Sequence, residues 1–386
     1  MVSRSFLTGS LLAAAGIGTT SALILMRRAR RARPDLFPAY NPLHRRLDPG
    51  QPQQVAVIYN PSKARAEWAN RIITAELGFA NWPKARFYET EIQDPGSGMA
   101  KQALADGANL VLAVGGDGTI RAVANGLAGS GIPLGLVPLG TGNLLARNLD
   151  LNVADLHACI NIALHGRPRA IDMIQLRLKD PQALEPINYL VMGGAGFDAQ
   201  IMTDTREDLK AKIGWLAYFE ASSRHMFTRR RPADISVDGG PVFRRKIRTV
   251  LVANCGKIQG GVNLTSVAEL SDGQLEVVVL TPRTLLSWLR MTAQFLLRKP
   301  KVRRPVVEHF VGKQVQVSFP HNQLPVEVDG DVLGESRGFE AQVLPGVLKV
   351  NTYPDDLQIR SLSDFMGAKE ELVEQQVRWW QRLLRL

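Results

Sequence analysis

Residues 110–149 read LVLAVGGDGTIRAVANGLAGSGIPLGLVPLGTGNLLARNL, in which two unbroken apolar runs each end in a glycine-rich turn and pass straight into a helical pattern. A strand without polar alternation is buried on both faces, and a helix after each such strand supplies the cover, so the stretch specifies a parallel sheet between helices. The same alternation starts at Val55 to Tyr59 and runs through a helix over Ala64 to Leu77, a strand over Ala85 to Tyr88 and a helix over Met99 to Leu104. It closes on a helix over Asp155 to Leu164.

The two turns carry the chemistry. Gly115-Gly116-Asp117-Gly118-Thr119 stands where a strand becomes a helix, which leaves backbone N–H groups unpaired at the helix start and suits an anion. Glycine lets the main chain approach a phosphate, and Thr119 is placed to cap the helix or meet a phosphate oxygen. A carboxylate at Asp117 repels phosphate unless it holds a cation or takes a proton, and Mg²⁺ would remove the repulsion. Gly140-Thr141-Gly142-Asn143 repeats the construction after the next strand, and neighbouring strand ends of an open sheet line one crevice. One such turn is what any tight strand-to-helix connection needs; two, one bearing an acid, point to a nucleotide.

After Arg169 come short β-prone runs separated by turn residues, among them Ile171 to Leu178, Arg248 to Ala253, Leu275 to Leu280, Val315 to Phe319 and Leu348 to Asn351, which predict a mostly antiparallel sandwich. Helical inserts are expected near Leu209 to Phe227 and Leu285 to Leu297. Gly194-Ala195-Gly196-Phe197-Asp198-Ala199 matches a dinucleotide fingerprint but lacks the βαβ context. Walker A and protein-kinase motifs are absent, and the six histidines show no zinc spacing.

Between Arg4 and Arg27 lie 22 uncharged residues, enough as a helix for ~33 Å against the ~30 Å of a bilayer core. Arginines at 27, 28, 30, 31 and 33 follow this run, so the expectation is a single-pass transmembrane helix in the cell membrane with the rest of the chain cytoplasmic. The net charge of +11 favours polyanions, here an anionic membrane surface; aromatic and basic residues are not interleaved as nucleic-acid binding requires. The amphipathic stretch over Arg283 to Arg304 suits the same interface or a core helix with a solvated tail, that over Asp364 to Leu386 suits the interface or a partner helix, and a homo-oligomer is compatible with the chain. Two cysteines exclude a disulfide framework. The expected organisation is an anchor and basic flank over 1–33, a linker over 34–54, an α/β domain over 55–166, a β-sandwich domain over 167–355 whose last strands could return to the first domain, and an amphipathic helix over 356–386.

At GGDGT followed by PLGTGNLLARNL the chain resembles the diacylglycerol kinase catalytic-domain family, with sphingosine and ceramide kinases more distant. The resemblance covers Val55 to Tyr353. It implies ATP in a cleft between an α/β domain and a β-sandwich domain, Mg²⁺ as cofactor, and transfer of the γ-phosphoryl group to a lipid hydroxyl. It assigns nucleotide contacts to Asn60, Pro61, Thr90, the turn from Gly115 to Thr119 and the turn around Thr141. In Val328-Asp329-Gly330-Asp331 the last acid matches the family's general base, beside Asp329, and Asp272 matches a structural Mg²⁺ ligand. The family's N-P-x-S-G reads Asn60-Pro61-Ser62-Lys63-Ala64 here, and its frequent Asn-Asp is Asn143-Leu144. Two rival readings are an NAD kinase-like enzyme and an inactive nucleotide-binding membrane adaptor.

Overall fold

The structure, a computed structural model, describes residues 50–180, 185–196, 230–256, 269–282, 287 and 306–353. Its first half alternates β1 (Val55–Tyr59), α1 (Ala66–Phe79), β2 (Arg86–Glu89), α2 (Ser97–Ala105), β3 (Leu110–Gly115), α3 (Asp117–Leu127) and β4 (Pro133–Pro138), followed by α4 (Leu144–Asn148) and α5 (Leu156–His165). The strands pair in parallel in the order β2-β1-β3-β4. The uninterrupted apolar runs at β1, β3 and β4 are buried almost throughout, whereas β2 at the sheet edge is largely exposed. Ile72, Ile73 and Leu77 of α1 and Ile160 and Leu164 of α5 pack with Val57, Leu112 and Val114, each aliphatic side chain contributing about 1.5–3 kcal/mol of burial. Helices α2 and α3 lie close together because Gly126 has no Cβ: one built there would fall 2.5 Å from Ala100 Cβ.

The second half is β5 (Arg167–Leu178), β6 (Ile187–Tyr189), β7 (Met192–Gly196), β8 (Arg231–Val237), β9 (Phe243–Ile247), β10 (Thr249–Ala253), β11 (Leu275–Leu280), β12 (Val307–Gly312), β13 (Gln314–Ser318), β14 (Leu324–Val328), β15 (Asp331–Ser336) and β16 (Gly338–Thr352). One antiparallel sheet has the order β12-β11-β10-β7-β14-β15. Facing it, β16 pairs antiparallel with β13 and β5, then parallel with β4 through Lys349 and Val350. The parallel sheet therefore continues into the sandwich through one long strand. Between the two sheets Tyr189, Val250, Val277, Val317, Phe319, Val326 and Phe339 form the second core.

The dinucleotide-like glycines have a packing role. Gly194 lies in β7, between β10 and β14, where a Cβ would come 2.1 Å from the Val250 carbonyl oxygen.

The expectation of a transmembrane helix, and the cell-membrane localisation built on it, is corrected. Among the described residues no helix is long and apolar enough to cross a membrane. The apolar run at residues 5–26 lies outside the described residues, and a hydroxyl-rich stretch of that length is weak ground for a crossing by itself. The helices expected near 209–227, 285–297 and 356–386 also fall wholly or almost wholly outside the described residues.

Candidate active site

The C-terminal ends of β1, β2, β3 and β4 are tied side by side through the residues where strands pass into loops. Asn60 N–H donates to the Val114 carbonyl at 3.0 Å, Thr90 N–H to Tyr59 at 3.0 Å and Leu139 N–H to Gly115 at 2.7 Å. These bonds set Asn60, Thr90, Gly115 and Leu139 along one edge, where a parallel sheet receives ligands. Asn60 shapes its own turn, its Oδ1 accepting from the N–H and hydroxyl of Ser62, and Pro61 is exposed beside it.

The two glycine turns touch. A Cβ built on Gly140 would lie 2.9 Å from Gly116 Cα, so a side chain at Gly140 would push the loops apart, whereas a Cβ at Gly116 would meet Gly140 Cα at an ordinary 3.6 Å. Gly115 is constrained from another side: its Cβ would collide with Thr119, whose buried side chain packs against the strand end. No side chain caps α3, which leaves its first turn open at Gly116 to Gly118. Lys63 reaches this opening, with its Cε 3.8 Å from the Cβ position of Gly116.

Asp117 clamps the second turn. Its Oδ2 accepts the Asn143 N–H at 2.8 Å and its Oδ1 the Leu144 N–H at 2.6 Å, capping α4 from a neighbouring loop. Burial pushes the Asp117 carboxyl up, while these two amides pull it down. Asn143 adopts the left-handed region at φ 49° and exchanges hydrogen bonds with Gly140 through both ends of its side-chain amide. Gly142 must stay bare, since a Cβ there would meet Asp117 Oδ2 at 2.7 Å; Thr141 is exposed at the tip.

Across the crevice, β14 and β15 are joined by Asp329 and Gly330, with φ 48° and 90°, the backbone that a two-residue hairpin turn demands and that Asp-Gly favours. The Asp329 carboxylate accepts N–H groups of Leu190, Val191 and Met192 at 2.9, 3.0 and 3.1 Å. Burial pushes its carboxyl up against the pull of those amides. Asp329 thus holds the hairpin to the start of β7 and leaves the crevice to Asp331. Asp329→Ala would strand three amides, so we expect about 2–4 kcal/mol of lost stability, read as a lower denaturant midpoint; an unchanged midpoint would remove this anchoring role. Asp331 Oδ2 lies 3.8 Å from the Cβ position of Gly118, over the open turn of α3, and pairs with Arg121.

Asp272 lies elsewhere in the bonding pattern. Its carboxylate accepts N–H groups of its own turn, Gln274 at 2.9 Å and Glu269 at 3.3 Å, and buried Asp172 binds the next residue, Gly273, at 2.7 Å. Among the described residues no three His, Cys, Asp or Glu side chains stand close enough to cage a metal.

Comparison with known proteins bears on the whole unit. The diacylglycerol kinase catalytic domain matches residues 54–176, and the YegS C-terminal NAD kinase beta sandwich-like domain matches residues 192–352. A probable lipid kinase YegS-like protein of Citrobacter koseri is 30% identical over 254 residues, covering 64% of this chain and 80% of the relative. The chain belongs to the diacylglycerol kinase family. The diacylglycerol kinase of Bacillus subtilis is 25% identical over 290 residues, covering 74% of this chain and 92% of that protein. A crystal structure of a diacylglycerol kinase from Bacillus anthracis str. Sterne shares the fold, with a TM-score of 0.58, 18% identity and coverage of 78% and 97% of the two chains. As a member of this lipid kinase family, the protein is a kinase. Sequence reading of this diacylglycerol kinase family member missed Lys63 and Arg121. Lys63 was visible only as a departure from the family turn, and Arg121 had no signal because its partner Asp331 is 210 residues away.

Proposed function

We propose that this kinase transfers the γ-phosphate of ATP to a lipid hydroxyl, with diacylglycerol as the first acceptor and a sphingoid base as the second. What supports the reading most is the Asp331 carboxylate standing over Gly118, on the open first turn of α3 and beside two glycine turns in contact. A triphosphate laid along those turns would meet the α3 N–H groups and the Lys63 ammonium. The lipid hydroxyl oxygen then attacks the γ-phosphorus and its proton passes to Asp331. As the new O–P bond forms, the bond from γ-phosphorus to the bridging oxygen breaks and ADP leaves.

Mg²⁺ is commonly held by one or two carboxylates plus substrate phosphates, so the lack of a three-ligand cage among the described residues suits it. Asp117 would hold it, since each carboxylate oxygen keeps a lone pair beyond its amide bond, and bound Mg²⁺ supplies charge neutralisation on the phosphates. Asp272, engaged with its own turn, is proposed only as a structural site.

The decisive experiment offers the purified protein γ-labelled ATP and Mg²⁺ with diacylglycerol, sphingosine or NAD. Label in a lipid supports the reading. Label in the dinucleotide would replace it with a small-molecule kinase, and nucleotide binding without any transfer would replace it with an adaptor. Lys63→Ala is expected to raise KM for ATP about 10-fold or more with kcat little changed, as loss of a charged phosphate contact predicts; steady-state kinetics at varied ATP checks this.

A further inference from the structure

We propose that Arg121 is a positioning residue for phosphoryl transfer, holding the Asp331 carboxylate over the first turn of α3. This rests on the kinase reading above. Arg121 lies three residues after Gly118 on α3, so the two share a helix face, and long helical side chains lean back toward the N-terminus. Its Nη2 donates to Asp331 Oδ2, and its Nη1 donates to the Val328 carbonyl at 3.4 Å. One planar guanidinium therefore grips both sides of the two-residue turn joining β14 to β15. An ammonium could not span a carbonyl and a carboxylate in this way.

Asp331 needs such a partner. It opens β15, the edge strand of its sheet, and its side chain is 57% exposed, whereas that of Arg121 is 15% exposed. Among the described residues Arg121 is the side chain that holds it. The rest of the contact is built to stay in place: Asn125, one turn further along α3, donates to the Asn188 carbonyl of β6 at 3.1 Å, and Asp329 fixes the hairpin from behind. Helix, hairpin and acceptor thus form one unit in which the distance from Asp331 to a phosphate at Gly118 is set by Arg121.

The experiment compares kcat and KM for ATP in Arg121→Gln, Arg121→Lys, Asp331→Asn and the Arg121→Gln/Asp331→Asn double variant. Because a displacement of about 1 Å can cost on the order of 10²-fold, Arg121→Gln is expected to lower kcat roughly 10- to 100-fold with little change in KM, and Arg121→Lys to recover part of it. In the Asp331→Asn background the same change should cost almost nothing, since a residue that acts through another loses its effect when that one is gone. Three outcomes would overturn the inference: an undiminished loss in that background, a rise in KM with kcat intact, or Arg121→Lys and Arg121→Gln both turning over like the parent. If Arg121→Gln fails to fold by circular dichroism, Arg121→Lys alone and combined with Asp331→Asn carries the comparison. Unchanged turnover in Asp331→Asn alone would instead remove the acceptor itself, a failure of the kinase mechanism that the Arg121 arms do not share.

Discussion

Asp331→Asn is expected to lower kcat by about 10²- to 10⁴-fold while leaving KM for ATP nearly unchanged. An asparagine keeps the size of the side chain and can still accept from Arg121 through its amide oxygen, so the hairpin stays in place. It cannot take the proton of an alcohol whose pKa lies far above neutrality. In the proposed mechanism the ATP contacts fall to the turns at Gly116 and Gly140, and Asp331 stands over Gly118 without a bond to either. Initial rates at saturating lipid and varied ATP test the split. Equal losses in kcat and ATP affinity would make Asp331 a nucleotide ligand, and an unchanged kcat would end its assignment as proton acceptor.

Local pattern carried the architecture well. Unbroken apolar runs at β1, β3 and β4 are buried on both faces because helices cover both, and that periodicity is written residue by residue. Glycine turns were equally legible, since the need for bare backbone at Gly115 and Gly140 is a property of those positions. What each acid does was not. Asp117, Asp329 and Asp331 look alike in sequence, yet the first clamps Asn143 and Leu144, the second closes on three amides near β7, and the third pairs with Arg121 over the first turn of α3. Their partners are set by tertiary approach, as with Asp329 and Leu190, 139 residues apart. The break in β16 pairing between Leu344 and Leu348, before the strand meets β4, is likewise not encoded by strand propensity. A long apolar run near the N-terminus misled in the opposite direction, because length and lack of charge alone do not make a membrane span.

Asp117→Ala is expected to reduce kcat/KM on the order of 10²- to 10³-fold, through the loop as much as through any cation. The substitution leaves the N–H groups of Asn143 and Leu144 without their acceptor, at about 1–3 kcal/mol each, and the turn from Gly140 to Asn143 loses its tie to α3. Asp117→Asn should be nearly as damaging: its oxygen can serve one amide, but its NH₂ then faces the other. A purely electrostatic role for Asp117 would predict that nearby neutral changes are harmless. Gly142→Ala separates the two accounts. Its Cβ would arrive 2.7 Å from Asp117 Oδ2 and force the carboxylate and the loop apart without altering any charge. If the clamp matters, Gly142→Ala weakens ATP binding to a similar degree as Asp117→Asn, measurable by titration with a non-hydrolysable ATP analogue. If Gly142→Ala binds the analogue like the parent chain while Asp117→Asn does not, the carboxylate acts through its charge alone and the clamp contributes nothing to catalysis.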